Sequence, residues 1–147
     1  MNMLLSYAGW ESDPWVERLP RLLEPMGVNS VRVTSGRGAS EVIKSTPIHV
    51  AVVDLALPFD DPNAAAQEAE AGAKLLELLN KLATPPPTVV IKRSRTSRDD
   101  HQELSAALRA GAFAVLDRPK GDGDLELMLE VLRRLLKRHY RGSWPAT

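Results

Sequence analysis

A chain of 147 residues, 44% hydrophobic and 26% charged, has the size and balance of one ordinary globular domain, which excludes a chain disordered throughout. Nineteen basic residues offset nineteen acidic ones, so no global field draws it to nucleic acid or an anionic membrane, and the absence of cysteine excludes disulfides and thiol chemistry. The three histidines (His49, His101, His139) lack metal-ligand spacing, and with neither a signal-like N-terminus nor a membrane-length apolar run the chain is read as cytoplasmic.

Residues 3–7 (MLLSY) predict a first strand. Asp13-Pro14 predicts a helix start, because Asp caps and Pro suits the first helical position. Val16, Leu19, Leu22, Leu23 and Met26 follow at helical spacing, with Gly27 as the stop. Pro20 inside this helix predicts a kink or a delayed regular start. Residues 31–34 (VRVT) alternate like a short strand, and residues 40–45 (SEVIKS) predict a short helix ended by Pro47. Residues 48–53 (IHVAVV) form a nearly continuous apolar run, the mark of a central strand buried on both faces, and the run stops at Asp54.

The stretch 60–70 (DDPNAAAQEAE) reads as a solvated loop or an early start to the next helix, with Asn63 as a candidate cap. Leu75, Leu76, Leu78, Leu79 and Leu82 mark that third helix, closed by Pro85-Pro86-Pro87. Residues 88–91 (TVVI) predict a fourth strand. Residues 99–110 predict a helix with Leu104, Ala107 and Leu108 inward and Gly111 after its end. Residues 113–116 (FAVL) predict the fifth strand. Leu125, Met128, Leu129, Leu132, Leu135 and Leu136 give the last and clearest amphipathic helix.

Strands alternating with helices imply a parallel sheet covered on both faces by right-handed crossovers. Sites in such sheets lie outside the carboxyl ends of the strands, beside the switch in strand order. Tyr7, Ala8, Asp54, Lys92 and Arg118 occupy those ends.

Three stretches resemble the receiver domain of bacterial response regulators. Val52-Val53-Asp54-Leu55-Ala56-Leu57-Pro58 is similar to the family's apolar strand, phosphoacceptor Asp and following Leu-x-Leu-Pro. Ala106-Ala107-Leu108-Arg109-Ala110-Gly111-Ala112 is similar to the Ala-rich helix end before strand five. Leu116-Asp117-Arg118-Pro119 is similar to Leu-x-Lys-Pro. The resemblance spans about residues 3–139 and implies a flavodoxin-like (βα)5 three-layer sandwich with strand order 2-1-3-4-5. Residues 1–140 are then a receiver-like domain and 141–147 a C-terminal tail.

In that family, two acids after strand one hold Mg²⁺, a Thr or Ser after strand four and a Lys after strand five bind phosphoryl oxygens, and an aromatic on strand five relays the switch. The resemblance makes Asp54 the phosphoacceptor candidate. Tyr7 and Ala8 stand where the two metal-holding acids are expected, while Glu11 and Asp13 fall later in the loop. Lys92 takes the Thr position, with Ser94 as a stand-in, so Lys92, Ser94 and Arg118 are the phosphoryl-pocket positions. Arg118 keeps the charge of the family's Lys but replaces a compact ammonium with a planar fork. Val115 takes the switch-aromatic place. The family's Gly corresponds to Gly72, displaced by an insertion at about residues 61–70.

Without the acid pair, no resident metal or other cofactor is expected and Mg²⁺ binding at Asp54 should be weak or absent. Lys92 and Arg118 are expected to converge on Asp54. The leading expectation is therefore an atypical pseudo-receiver in bacterial two-component signalling, not an enzyme, acting by protein–protein interaction with little phosphorylation. Its partner would be a histidine kinase or a downstream signalling protein, and the chain a monomer or weak homodimer. The alternative is an ordinary response regulator phosphorylated on Asp54. A lower alternative is a small flavodoxin-like enzyme or flavin binder, disfavoured because no Gly-rich phosphate loop follows strand one.

No nucleic-acid or membrane partner is expected. Lys92, Arg93, Arg95 and Arg98 read as a solvated rim balanced by Asp99, Asp100 and Glu103, without aromatics for base stacking. Arg133, Arg134, Lys137, Arg138 and His139 complement the dipole at the end of the last helix. Trp144 in the tail covers an apolar patch or meets a partner.

Overall fold

A computed structural model of the chain describes residues 1–7, 14–57, 71–92, 97–117, 119 and 122–140. Strands β1 (Asn2–Ser6), β2 (Asn29–Val33), β3 (Val50–Asp54), β4 (Thr88–Ile91) and β5 (Ala114–Leu116) alternate with helices α1 (Pro14–Leu23), α2 (Gly36–Ser45), α3 (Gly72–Asn80), α4 (Ser97–Arg109) and α5 (Asp122–His139). The sheet is parallel throughout, in the order β2-β1-β3-β4-β5. This is the flavodoxin-like arrangement. From β1 the chain steps outward to β2 and then crosses to β3 on the other side, so the switch in strand order lies between β1 and β3.

Side chains alternate across each strand, and both faces of the sheet are covered. Met3 and Leu5 of β1, with Val50 and Val52 of β3, pack against Val16, Leu19 and Leu23 of α1 and the Leu-rich stripe of α5. Leu4, Ala51 and Val53 face the other way, onto Ala39 of α2 and Leu75 and Leu79 of α3. A central parallel strand with no solvent face admits a polar residue only where it has a buried partner, which is why the run Val50 to Val53 before Asp54 is apolar. A third cluster of Leu55, Leu76, Val90 and Ala107 joins the end of β3 to β4 and α4.

The predicted elements are all present, with ends displaced by a few residues. The largest displacement is at α2, expected over 40–45 and observed as Gly36–Ser45. Two glycines in the first turn lower its intrinsic preference. The Ser35 side chain compensates by accepting the Gly38 N–H at 3.0 Å, and Ala39 is fully buried against β1 and β3. Helix α1 runs through Pro20 to Leu23 and gives way to a 3₁₀ turn at Glu24–Met26. Gly27, at φ 83°, closes that turn by donating its N–H to the Glu24 carbonyl.

Three leucines assigned to apolar faces are in fact part-exposed: Leu22 by 40%, Leu78 by 38% and Leu108 by 49%. Among its described side chains, helix α1 buries the stripe Val16, Leu19 and Leu23, and Leu22 falls beside it. Helix α4 meets the sheet through Ala107, a small residue that leaves the neighbouring Leu108 turned outward, contrary to the inward expectation.

Candidate functional site

Strand β3 ends in a carboxylate that solvent does not reach: Asp54 is 0% exposed. A buried carboxylate needs hydrogen-bond donors, and the turn that follows supplies one, the Ala56 N–H, at 2.9 Å from Asp54 Oδ1. The Asp54 carbonyl accepts the Leu57 N–H at 3.0 Å, so the chain reverses in one tight turn directly after the strand. Leu55 donates its N–H to Ile91, which keeps the turn registered on β4.

Helix α3 begins against this turn. A Cβ on Gly72 would lie 2.6 Å from the Asp54 carbonyl oxygen and 2.6 Å from Leu55 Cα. Only a residue without a side chain allows that approach. The glycine singled out in the sequence as a displaced family residue thus sits on the backbone that carries Asp54.

On the facing strand, β1 ends in Ser6, fully buried. Its hydroxyl donates to the Val52 carbonyl at 2.9 Å and accepts the Asp54 N–H at 3.1 Å. Tyr7 follows, half-buried against the cluster shared by α1 and α5, with its own N–H on the Val33 carbonyl of β2. A phenol and an aliphatic hydroxyl therefore occupy the end of β1.

At the end of β4, Lys92 donates its backbone N–H to Leu116, and its ammonium lies 3.2 Å from Asp117 Oδ1. The lysine side chain is 18% exposed and the aspartate 78%, so the charges meet at the rim while the lysine stem is covered. With the aspartate in solvent the pair contributes little stability, and it places the ammonium at the carboxyl edge of the sheet. Val115 on β5 pairs with Val90 and packs, half-buried, on the cluster that contains Leu55.

The fold thus brings Asp54, Tyr7 and Lys92 to one edge of the sheet. Ala8, Glu11, Asp13, Asn63, Ser94, Arg118, Lys120, the insertion at 61–70 and the tail with Trp144 lie outside the described residues. Sequence reasoning missed Ser6, Asp117 and the reason for Gly72. Ser6 did leave a signal: a lone hydroxyl in the apolar run MLLSY needs a buried partner.

Mg²⁺ prefers several oxygen donors in octahedral array, typically with carboxylates among them. Among the described residues no group of three or more His, Cys, Asp or Glu is placed to hold a metal ion. At the ends of β1 and β3 the described donor set is one carboxylate, one hydroxyl that is already bonded, and one phenol. Those described side chains by themselves bring one carboxylate, fewer than Mg²⁺ sites usually carry.

By sequence, the chain matches no protein-family model and no curated protein. By fold, it is similar to a two-component response regulator from Clostridium difficile, with a TM-score of 0.69, 16% identity and coverage of 96% of this chain and 98% of that one. It is similar to the BeF3-activated N-terminal receiver domain of Klebsiella pneumoniae RstA (TM-score 0.66, 19% identity, 93% and 99% covered). It is also similar to the receiver domain of a histidine kinase from Syntrophus aciditrophicus (TM-score 0.67, 22% identity, 97% and 94% covered).

Proposed function

We propose that this chain, whose fold is that of response-regulator receivers, is a signalling module of two-component type that works by protein–protein contact, with phosphoryl transfer to Asp54 weak or absent. The observation that carries this reading is the end of β1. Asp54 is buried beside the switch crevice, yet by sequence Tyr7 and Ala8 stand where the two metal-holding acids are expected, and Tyr7 directly follows β1. Phosphoryl transfer to a carboxylate brings two anions together, and a divalent cation normally neutralises them. A phenol and an alanine methyl do not hold that cation as a pair of carboxylates does.

Two further features support the reading. The Lys92 ammonium is engaged with Asp117, which spends part of the positive charge of the pocket. Val115 is too short to swing between outward and inward positions as an aromatic does. Partner contact would then use a fixed surface formed by α4, β5 and α5, where Leu108 of α4 and Leu127 of α5 are 49% and 56% exposed and Arg109 follows Leu108 in sequence. A histidine kinase or a downstream signalling protein is the class of partner this surface would meet, as a non-catalytic, cytoplasmic interaction.

Incubation with acetyl phosphate and millimolar Mg²⁺, followed by intact-mass measurement, should give little adduct, and Mg²⁺ titration by NMR should be nearly flat. Asp54→Ala should leave partner affinity within several-fold of wild type, whereas Arg109→Glu should weaken it by about tenfold. Saturable Mg²⁺ binding lost in Asp54→Asn, with partner binding that requires phosphorylation, would establish the ordinary phosphorylated response regulator instead.

A further inference from the structure

We infer that Ser6 is a positioning residue for Asp54: its side-chain hydroxyl replaces a rung of the sheet and sets where the carboxylate-bearing end of β3 lies. The inference concerns where the Asp54 carboxylate is held, and it stands apart from whether that carboxylate is phosphorylated.

The main-chain ladder between β1 and β3 runs from Met3↔Val50 to Leu5↔Val52 and ends there. Continued by the regular parallel pattern, the next rung would give the Asp54 N–H to a carbonyl of β1. That N–H goes to Ser6 Oγ instead, at 3.1 Å, and the same hydroxyl donates to the Val52 carbonyl at 2.9 Å. One side chain thus spans the Val52 C=O and the Asp54 N–H. It uses its donor and one of its two acceptor sites, as a serine hydroxyl allows.

The position of this splice matters. Backbone N–H groups of Tyr7 and Leu55 continue outward, to Val33 of β2 and Ile91 of β4. The two central strands therefore stay attached to their outer neighbours while the last link between them is a side chain. This happens at the switch crevice, where the hydroxyl bonds Asp54 itself on β3 and the residue after Ser6 is Tyr7. Ser6 is fully buried, so water does not replace its hydroxyl. The backbone of Gly72 also lies close to Asp54, near enough that an added Cβ would fall 2.6 Å from its carbonyl oxygen. The Asp54 backbone thus meets both the Ser6 hydroxyl and the start of α3, and its side chain accepts the Ala56 N–H at Oδ1.

Amide hydrogen exchange and proton–nitrogen NMR on the full chain test this. Ser6→Cys keeps the size of the side chain but offers only a weak donor and acceptor. Ser6→Ala removes the hydroxyl, and Ser6→Thr retains it. In Ser6→Cys and Ser6→Ala the Asp54 amide should exchange about tenfold faster than any change shared with the Leu55 amide, which reports general loosening. The Ala56 amide proton should move upfield as its bond to Oδ1 lengthens. Ser6→Thr should return both signals towards wild type. A residue that merely filled space would leave the Ala56 signal unmoved in Ser6→Cys, and that result would overturn the inference. If Ser6→Ala does not fold, the Cys and Thr pair decides alone.

No phosphoryl chemistry enters this measurement. Efficient phosphorylation of the wild-type chain would overturn the proposed function and leave Ser6 in its role. Unmoved Asp54 and Ala56 amides would do the reverse.

Discussion

Gly72 shows how narrowly the residue scale constrains this site. Alanine is normally the better helix former by up to about 1 kcal/mol, so Gly72→Ala would ordinarily stabilise a helix start. Here the added methyl would meet backbone atoms of Asp54 and Leu55 at 2.6 Å, and backbone does not give way as a flexible side chain does. Overpacking of this kind costs about 1–3 kcal/mol and outweighs the propensity gain. Urea denaturation of Gly72→Ala should show a net loss of about that size, with the largest amide shifts at residues 54–57. A variant as stable as wild type would mean that α3 starts farther from β3 than the structure has it.

At the scale of elements, local signals and tertiary contacts share the work unevenly. Helix α2 has a weak first turn with Gly36 and Gly38, and its start depends on one cap, the Ser35 hydroxyl on the Gly38 N–H at 3.0 Å. Ser35→Ala should cost about 1 kcal/mol in urea and fray the amides of residues 36–39 selectively. Uniform loss along the helix would instead point to Ala39 and the sheet as its only support. At the other end, Thr46 closes the helix by bonding its N–H to the Val42 carbonyl. A similar local device joins α3 to the α4–β5 connection: the Asn80 amide donates to the Ala110 carbonyl beside Gly111, whose φ of 100° lets the chain turn there.

The whole molecule is tied together at the amino end of the sheet, opposite the site. The Tyr140 hydroxyl, just past α5, donates to the His49 carbonyl just before β3, and the two rings meet edge-on with centroids 6.3 Å apart. Asn2 bonds its N–H to His49 Nδ1 at 3.0 Å, so β1, β3 and the last helix converge there. Burial pushes the Tyr140 phenol above its ordinary value of 10.0. A raised value means that the fold favours the protonated phenol; its stabilisation is complete below about pH 10 and is lost as pH rises through the folded-state value. Tyr140→Phe should therefore be less stable than wild type by about 1 kcal/mol at pH 7. The gap should narrow above pH 10 as the wild-type phenol ionises. Parallel stability curves from pH 7 to 11 would show that the phenol takes no part in the tie.

The sequence by itself determined the alternation of strands and helices, because a strand buried on both faces is apolar except where a polar side chain finds a buried partner, and a helix on one face must be striped. It also determined that Asp54 closes the central strand, since a carboxylate cannot continue the run IHVAVV. What it left open were quantities that depend on other parts of the chain. Whether Leu108 or Ala107 of α4 faces the core is a question of which helix rotation the sheet accepts, and the spacing allows both. The start of α2 was hidden because capping and burial of Ala39 override the local preference of two glycines. Ser6 and Asp54 are 48 residues apart, and nothing in either neighbourhood says that the hydroxyl of one takes the N–H of the other. Only the parallel register of β1 on β3 brings them into contact, because hydrogen bonds between strands are fixed by how the sheet is ordered, and that order is a property of the whole chain.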